Sequence, residues 1–285
     1  MRFVTIDRRI HALTATGPVD LAPVTGLPGD PAAFFAADGL EATRRAFREG
    51  ALEGTETAGT TADLSGLTLD APVPQPRVVW CIGLNYRDHA AETGKEIPAV
   101  PTVFVKSPGA VIAPGATIEV PPFVTQPDYE GELAVVIGKR ARDVAEADAL
   151  EYVAGVTVAH DVSARDHQYV TTQWCWSKSY DTFCPMGPVL VTIDELDVTD
   201  LPISTRIGSE VLQDSNTGQM VFPVAHLISF LSQGTTLEPG DVILTGTPAG
   251  VGLGRTPPRW LQDGETVEIT IGGIGTLSNP VRRSS

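Results

Sequence analysis

The stretch from Asp128 to Asp161 constrains the fold more than any other part of the chain. It begins Asp128-Tyr129-Glu130-Gly131-Glu132 and runs into Leu133-Ala134-Val135-Val136-Ile137 before Gly138 closes it. An apolar run of this length, bounded by turn residues, reads as a buried strand. Side chains two apart on a strand share a face. Glu130 and Glu132 therefore point one way and Gly131 the other. A second strand, Val156-Thr157-Val158-Ala159-His160-Asp161, ends in a third carboxylate. Neighbouring carboxylates repel, and in a dry site they do not both stay ionised without a cation. Three of them on two strands, with no Cys or His required, suit a hard divalent cation such as Mg²⁺ or Mn²⁺. The competing reading places Glu130 and Glu132 on the solvent face of an edge strand, as alternating acids commonly are. The Glu-x-Glu pattern alone favours that second reading.

Size and charge set the outer bounds. At 285 residues, 42% of them hydrophobic, the chain can hold one large domain or a large and a small one. No apolar stretch approaches the ~18 residues of a membrane helix, so no membrane partner is expected. The N-terminus lacks the apolar run of a signal peptide. Three cysteines, Cys81, Cys175 and Cys184, are odd in number and lack CxxC spacing, which points to a reducing cytoplasm and away from disulfides or zinc. A net charge of −15 opposes nucleic-acid binding. It leaves open an anionic small substrate, because a bound cation and a few basic side chains reverse the potential inside one cleft.

Residues 1–70 read as a small N-terminal α/β domain. Phe3–Ile6 and Ile10–Leu13 form a hairpin around Asp7-Arg8-Arg9. Asp38 caps a helix that stops near Gly50 or Gly54. The Pro-rich segment 71–76 is a stiff extended connector, so the boundary falls there and residues 71–285 form the main domain. Strand Val78–Ile82 leads into Gly83-Leu84-Asn85-Tyr86, followed by His89 and Glu92. Three apart on a helix, these two are neighbours. A carboxylate beside an imidazole fixes its tautomer, as a general base requires, although most such pairs are ordinary surface pairs. The polar, Gly/Pro-bounded segment that follows suits a lid. Ser163 to Asp166 has a capping-box pattern and starts a helix. Lys178, among aromatic residues, is either a cation near a pocket or a snorkelling side chain. Cys175 and Cys184 have no nearby base in sequence and read as packing residues. The loop Gly246-Thr247-Pro248-Ala249-Gly250-Val251-Gly252 lacks the Lys-Ser/Thr of a nucleotide P-loop, but its backbone N–H groups can cradle a carboxylate.

Several of these pieces, taken in order, carry a resemblance. They are Gly83-Leu84-Asn85-Tyr86…His89-x-x-Glu92, Asp128-Tyr129-Glu130-x-Glu132-Leu133, Asp161-Val162-Ser163-Ala164-Arg165-Asp166…Gln168, Lys178-Ser179-Tyr180-Asp181-Thr182-Phe183 and Leu244-Thr245-Gly246-Thr247-Pro248-x-Gly250-Val251-Gly252. From Val78 to Val281 the chain resembles the fumarylacetoacetate hydrolase superfamily, in its short acylpyruvate-hydrolase-like branch. The resemblance implies an α+β, mostly β fold: a mixed β-sandwich roll catalytic domain, usually homodimeric. It implies one Mg²⁺ or Mn²⁺ per chain on Glu130, Glu132 and Asp161. His89 and Glu92 match the catalytic dyad on a lid, and Lys178 matches a residue that stabilises developing charge. Arg165, Gln168 and Thr247 match residues that bind substrate or support the site, with Arg165 also suited to bracing the ligand strands. The implied activity is metal-dependent C–C bond hydrolysis of an acylpyruvate-type 2,4-dioxo acid through an enolate, with His89 activating water. The same site chemistry serves decarboxylation or isomerisation of oxaloacetate-like or hydroxydienedioate acids, and the motifs do not separate these reactions. A non-catalytic metal or dicarboxylate-binding scaffold is the reading from outside enzymology. His160 and Trp174-Cys175-Trp176 look particular to this chain and suited to shaping specificity.

Overall fold

The two acidic strands form the centre of the molecule. In the computed structural model, which describes residues 1–52, 64 and 66–283, Gly131–Ile137 and Val153–His160 pair antiparallel inside a ten-stranded mixed sheet. On the far side of Gly131–Ile137 lies Val242–Leu244, which pairs in parallel with Val79–Gly83, and Thr102–Lys106 ends that side of the sheet. On the far side of Val153–His160 lies Cys184–Val191. The glutamates thus sit on a central strand, and the edge-strand reading does not hold.

Period-two alternation sorts this strand between two cores. Leu133, Val135 and Ile137 face a five-stranded sheet and pack with Ile203, Val267, Ile269 and Leu277. That contact makes the sandwich. Ala134 and Val136 face the opposite side and pack with Val79, Cys81, Leu244, Phe34 and Phe35. Glu130 and Glu132 continue this second row. Gly131 belongs to the sandwich row, where a Cβ would lie 2.5 Å from Thr205 Oγ1 and 2.9 Å from Ile269 Cγ2. The sandwich approaches too closely there for any side chain.

The architecture is α+β and mostly β, as the family resemblance implied. The N-terminal hairpin forms where expected, with Asp7 and Arg8 at φ 50° and 59°, the left-handed pair that a two-residue hairpin turn requires. Its strands join the main sheet, since Arg2–Ile6 pairs with Cys184–Val191 and sets Phe3 opposite Leu190. Ala71 and Val73 are buried and Thr5 Oγ1 donates to the Pro72 carbonyl at 3.0 Å. No break in the sheet falls at 70/71, and this part of the expected connector is packed rather than free.

Two expected caps differ in detail. Asp38 precedes the helix Gly39–Arg48 but sits in the left-handed region at φ 57° and makes no side-chain cap bond. That helix ends before Gly50; Gly54 lies outside the described residues. Ser163 does not open a capping box. It lies in a two-residue strand, its hydroxyl donates to the Asp161 carbonyl, and Asp166 accepts instead from Thr125. Among the described residues no helix is long and apolar enough to cross a membrane.

Candidate active site

Strand pairing brings the three acids together. Glu130 and Glu132 occupy alternate positions of one strand, and the Asp161 N–H donates to the Glu130 carbonyl at 2.9 Å across the strand ends. One carboxylate oxygen from each of Glu130, Glu132 and Asp161 lies within 4.8 Å of the others, and all three residues are buried. These are the acids expected to share an ion.

Buried basic groups offset part of this charge. Glu130 receives Arg165 Nη2 and Lys178 Nζ, each at 2.5 Å. Asp161 receives Lys178 at 2.7 Å and Lys106 at 2.5 Å. Burial works to raise the Glu130 pKa, but Arg165 and Lys178 outweigh it and hold the carboxyl well below its ordinary value. The same carboxylates, Asp161 and Glu130, overcome burial to hold the Lys178 pKa above normal. Glu132 differs. Among the described residues no basic side chain bonds to it, and its hydrogen-bond donor is the Gly246 N–H at 2.7 Å. Burial, then the charges of Asp161 and Glu130, push its pKa well above the usual carboxylate range. An all-oxygen donor set with one uncompensated carboxyl fits a hard divalent cation, which would relieve that repulsion.

The glycine-rich loop cradles carboxylates, and they are the protein's own. Gly246 N–H serves Glu132, Gly250 N–H serves Glu92 at 2.8 Å, and Gly252 and Leu253 N–H serve Asp128 at 2.7 and 3.0 Å. Asp128 also accepts from Arg165 Nε at 2.8 Å. Arg165 spends its fork on Asp128, Glu130 and the Gln168 amide oxygen, so its contacts are those of a brace between the ligand strand and the loop. Thr247 donates to the Gly131 carbonyl and accepts from Gln213.

His89 and Glu92 lie on the helix Arg87–Thr93, with His89 Nδ1 3.3 Å from Glu92 Oε2. This arrangement leaves Nε2 for the cavity that His89 lines. The helix is docked on the body: Arg87 donates to the Met220 carbonyl at 2.6 Å, and Ser215 donates to Asp88 at 2.5 Å. One cavity is lined by His89, Glu130, Glu132, Asp161, Arg165, Gln168, Lys178 and Thr247. Of the nine residues singled out from sequence, eight line it and Glu92 stands behind His89.

Sequence reasoning missed Lys106, which is almost fully buried and bonds both Asp161 and the Val162 carbonyl. The available signal was a lysine ending an otherwise apolar strand just before Ser107-Pro108-Gly109. It also assigned no role to Asp128. Trp174 reaches the cavity wall and packs edge-on against Phe104, with centroids 5.5 Å apart. Trp176 does not line it and stacks outside on His167 at 5.1 Å. His160 faces away from the acids, opposite Gly131. Cys81 and Cys184 are buried thiols whose pKa burial raises, that of Cys184 to about 12, in keeping with packing roles.

Comparison with known proteins points to one family. The family model described as fumarylacetoacetate (FAA) hydrolase C-terminal matches residues 78–282. The chain is 47% identical over 219 residues to the mitochondrial oxaloacetate tautomerase Fahd2a of Rattus norvegicus, covering 76% of this chain and 70% of that protein. It is 48% identical over 223 residues to the oxaloacetate tautomerase YisK of Bacillus subtilis, covering 76% and 74%. The solved structure of a fumarylacetoacetate hydrolase from Exiguobacterium antarcticum superposes with a TM-score of 0.82 at 35% identity over the whole of both chains. Matched by this family model over residues 78–282, and nearly half identical to relatives over most of their length, the chain belongs to the fumarylacetoacetate hydrolase family.

Proposed function

We propose that this enzyme interconverts the enol and keto forms of an oxaloacetate-like 2-oxo acid. The observation that carries the reading is the shared cavity, which sets the acidic triad and its uncompensated Glu132 opposite an imidazole held by a second carboxylate. Glu130, Glu132 and Asp161 would hold a divalent ion, which would supply electrophilic stabilisation to the 2-oxo acid head. Ketonisation then needs one proton delivered to C3 while the enol O–H proton leaves. It is an isomerisation, with nothing oxidised or reduced. His89, oriented through Nδ1 by Glu92, is placed to move the C3 proton with Nε2. The Lys178 ammonium steadies negative charge on the 2-oxygen. The docked helix keeps bulk water from the carbanionic carbon.

This order of preference reverses the one read from sequence, where C–C hydrolysis of acylpyruvates came first. Two relatives sharing 47% and 48% identity carry the name oxaloacetate tautomerase. Hydrolysis stays the second reading, favoured by the name of the solved hydrolase relative and by the same His89, which can as well activate water. The test is a panel of oxaloacetate, acetylpyruvate and fumarylpyruvate with Mg²⁺, with products identified. Enol–keto exchange of oxaloacetate, without cleavage, is expected. Release of pyruvate from an acylpyruvate at a higher rate would establish hydrolysis instead. His89→Ala is expected to keep metal affinity and lose at least about a hundredfold in turnover, the scale of a lost general base. The homodimer implied by the family resemblance is part of this proposal and is checked by light scattering.

A further inference from the structure

The cavity has a polar mouth as well as an acidic floor. Lys95 and Tyr169 both line it, and both are exposed to solvent. The other basic groups of the cavity are already committed: Arg165 to Asp128 and Glu130, Lys178 to Glu130 and Asp161, His89 to Glu92. Lys95 alone among them has no carboxylate partner among the described residues. Its ammonium donates to the Tyr169 hydroxyl at 3.3 Å and lies 5.5 Å from the centre of that ring. An uncommitted cation facing the substrate cavity of a chain of net charge −15 is out of keeping with its surroundings.

We propose that Lys95 and Tyr169 together bind a second carboxylate of the substrate, so that the site selects dicarboxylic over monocarboxylic 2-oxo acids. The inference rests on the reading above, in which the acidic floor takes the 2-oxo acid head. The chemistry follows from donor counting. The Tyr169 oxygen accepts from Lys95 and so keeps its own O–H to donate. Lys95 uses one N–H on Tyr169 and keeps two. Two converging donors, one of them charged, match the two oxygens of a carboxylate.

The clamp is divided between two elements. Lys95 follows Gly94, the left-handed cap of the helix that carries His89. Tyr169 caps the short helix Arg165–Gln168, whose Gln168 lies deeper in the same cavity. A distal carboxylate therefore ties the His89 helix to the opposite wall. With a substrate lacking that group, the two elements are joined here, among the described residues, only by the Lys95–Tyr169 hydrogen bond. Because both residues are exposed, the gain is modest; exposed ion pairs contribute little, and about threefold to fivefold in selectivity is the expected scale.

The test compares oxaloacetate with its C4 monomethyl ester, which keeps the same head and has a neutral tail. Full-length enzyme with Mg²⁺ is assayed as wild type, Lys95→Met and Tyr169→Phe, with oxalate as a competitive inhibitor that carries the head alone. Both variants should lose about threefold to fivefold in kcat/KM for oxaloacetate, while kcat/KM for the ester and inhibition by oxalate stay as in wild type. Acid and ester falling together, or neither falling, overturns the clamp and leaves the metal-site reading standing. Wild-type enzyme that neither turns over oxaloacetate nor binds oxalate overturns the underlying reading and the clamp with it.

Discussion

Glu130 and Glu132 share a strand face but not an environment. Glu130 is met by two basic side chains, Glu132 by a single backbone N–H. Glu130→Gln leaves Arg165 and Lys178 each short of a partner, and breaking buried pairs in this way costs about 3–5 kcal/mol. Glu132→Gln removes a carboxyl whose charged form burial and the neighbouring Asp161 and Glu130 disfavour. Urea denaturation of metal-free protein at pH 8 should therefore show Glu130→Gln strongly destabilised and Glu132→Gln as stable as wild type or more so. Equal losses in the two variants would contradict the charge assignment. His160 provides a second test. Burial, then Lys106, lower its pKa from 6.5 to about 3. As pH falls below 6.5 the unfolded chain takes up a proton that the folded chain refuses until about pH 3. Stability fully present above pH 6.5 is lost through that window, by up to about 1.4 kcal/mol per pH unit. His160→Gln should flatten the dependence of the urea midpoint on pH by up to one proton. An unchanged slope would mean that His160 charges freely in the native state.

The glycine-rich loop joins the acidic strand to the dyad. Its N–H groups hold Glu132, Glu92 and Asp128 in turn, so its backbone path matters more than its side chains. Gly250 has φ 103°, and a Cβ there would lie 2.1 Å from the Leu212 carbonyl oxygen. Gly250→Ala should cost about 1–3 kcal/mol in strain and lower kcat more than it raises KM, because Glu92 loses its anchor behind His89. Gly264, at φ 78° with nothing within 4 Å of a Cβ, is the control. Its alanine variant should cost about 1–2 kcal/mol with kinetics unchanged. Matching kinetic losses in the two variants would show that the loop does not position the dyad. The sequence showed the loop's capacity to bind a carboxylate. It did not show that the carboxylates are internal, because Glu92 and Gly250 stand 158 positions apart.

Across the whole molecule, local pattern was legible and long-range pairing was not. The apolar run Leu133–Ile137 places the strand, and the period of two places its faces and both glutamates, without reference to any other segment. The junction of Phe3 with Leu190 depends on partners far apart in the chain, and no local period records it. A compositional break at residues 71–76 therefore suggested a separation that the sheet does not show. Lys106 and Asp161 are likewise joined only by folding, 55 positions apart. The family resemblance implied an ion for the triad but not which enolate reaction follows, because tautomerisation and cleavage share the same floor of acids. The central claim is that Glu130, Glu132 and Asp161 jointly hold one divalent cation. Calorimetric titration of Mg²⁺ into metal-stripped protein, at rising pH, tests it most directly. The account predicts one ion per chain in the wild type, affinity that strengthens with pH as the Glu132 proton is lost, and no binding in Glu132→Gln. Undiminished Mg²⁺ binding in Glu132→Gln, or none in the wild type at any pH, would contradict it.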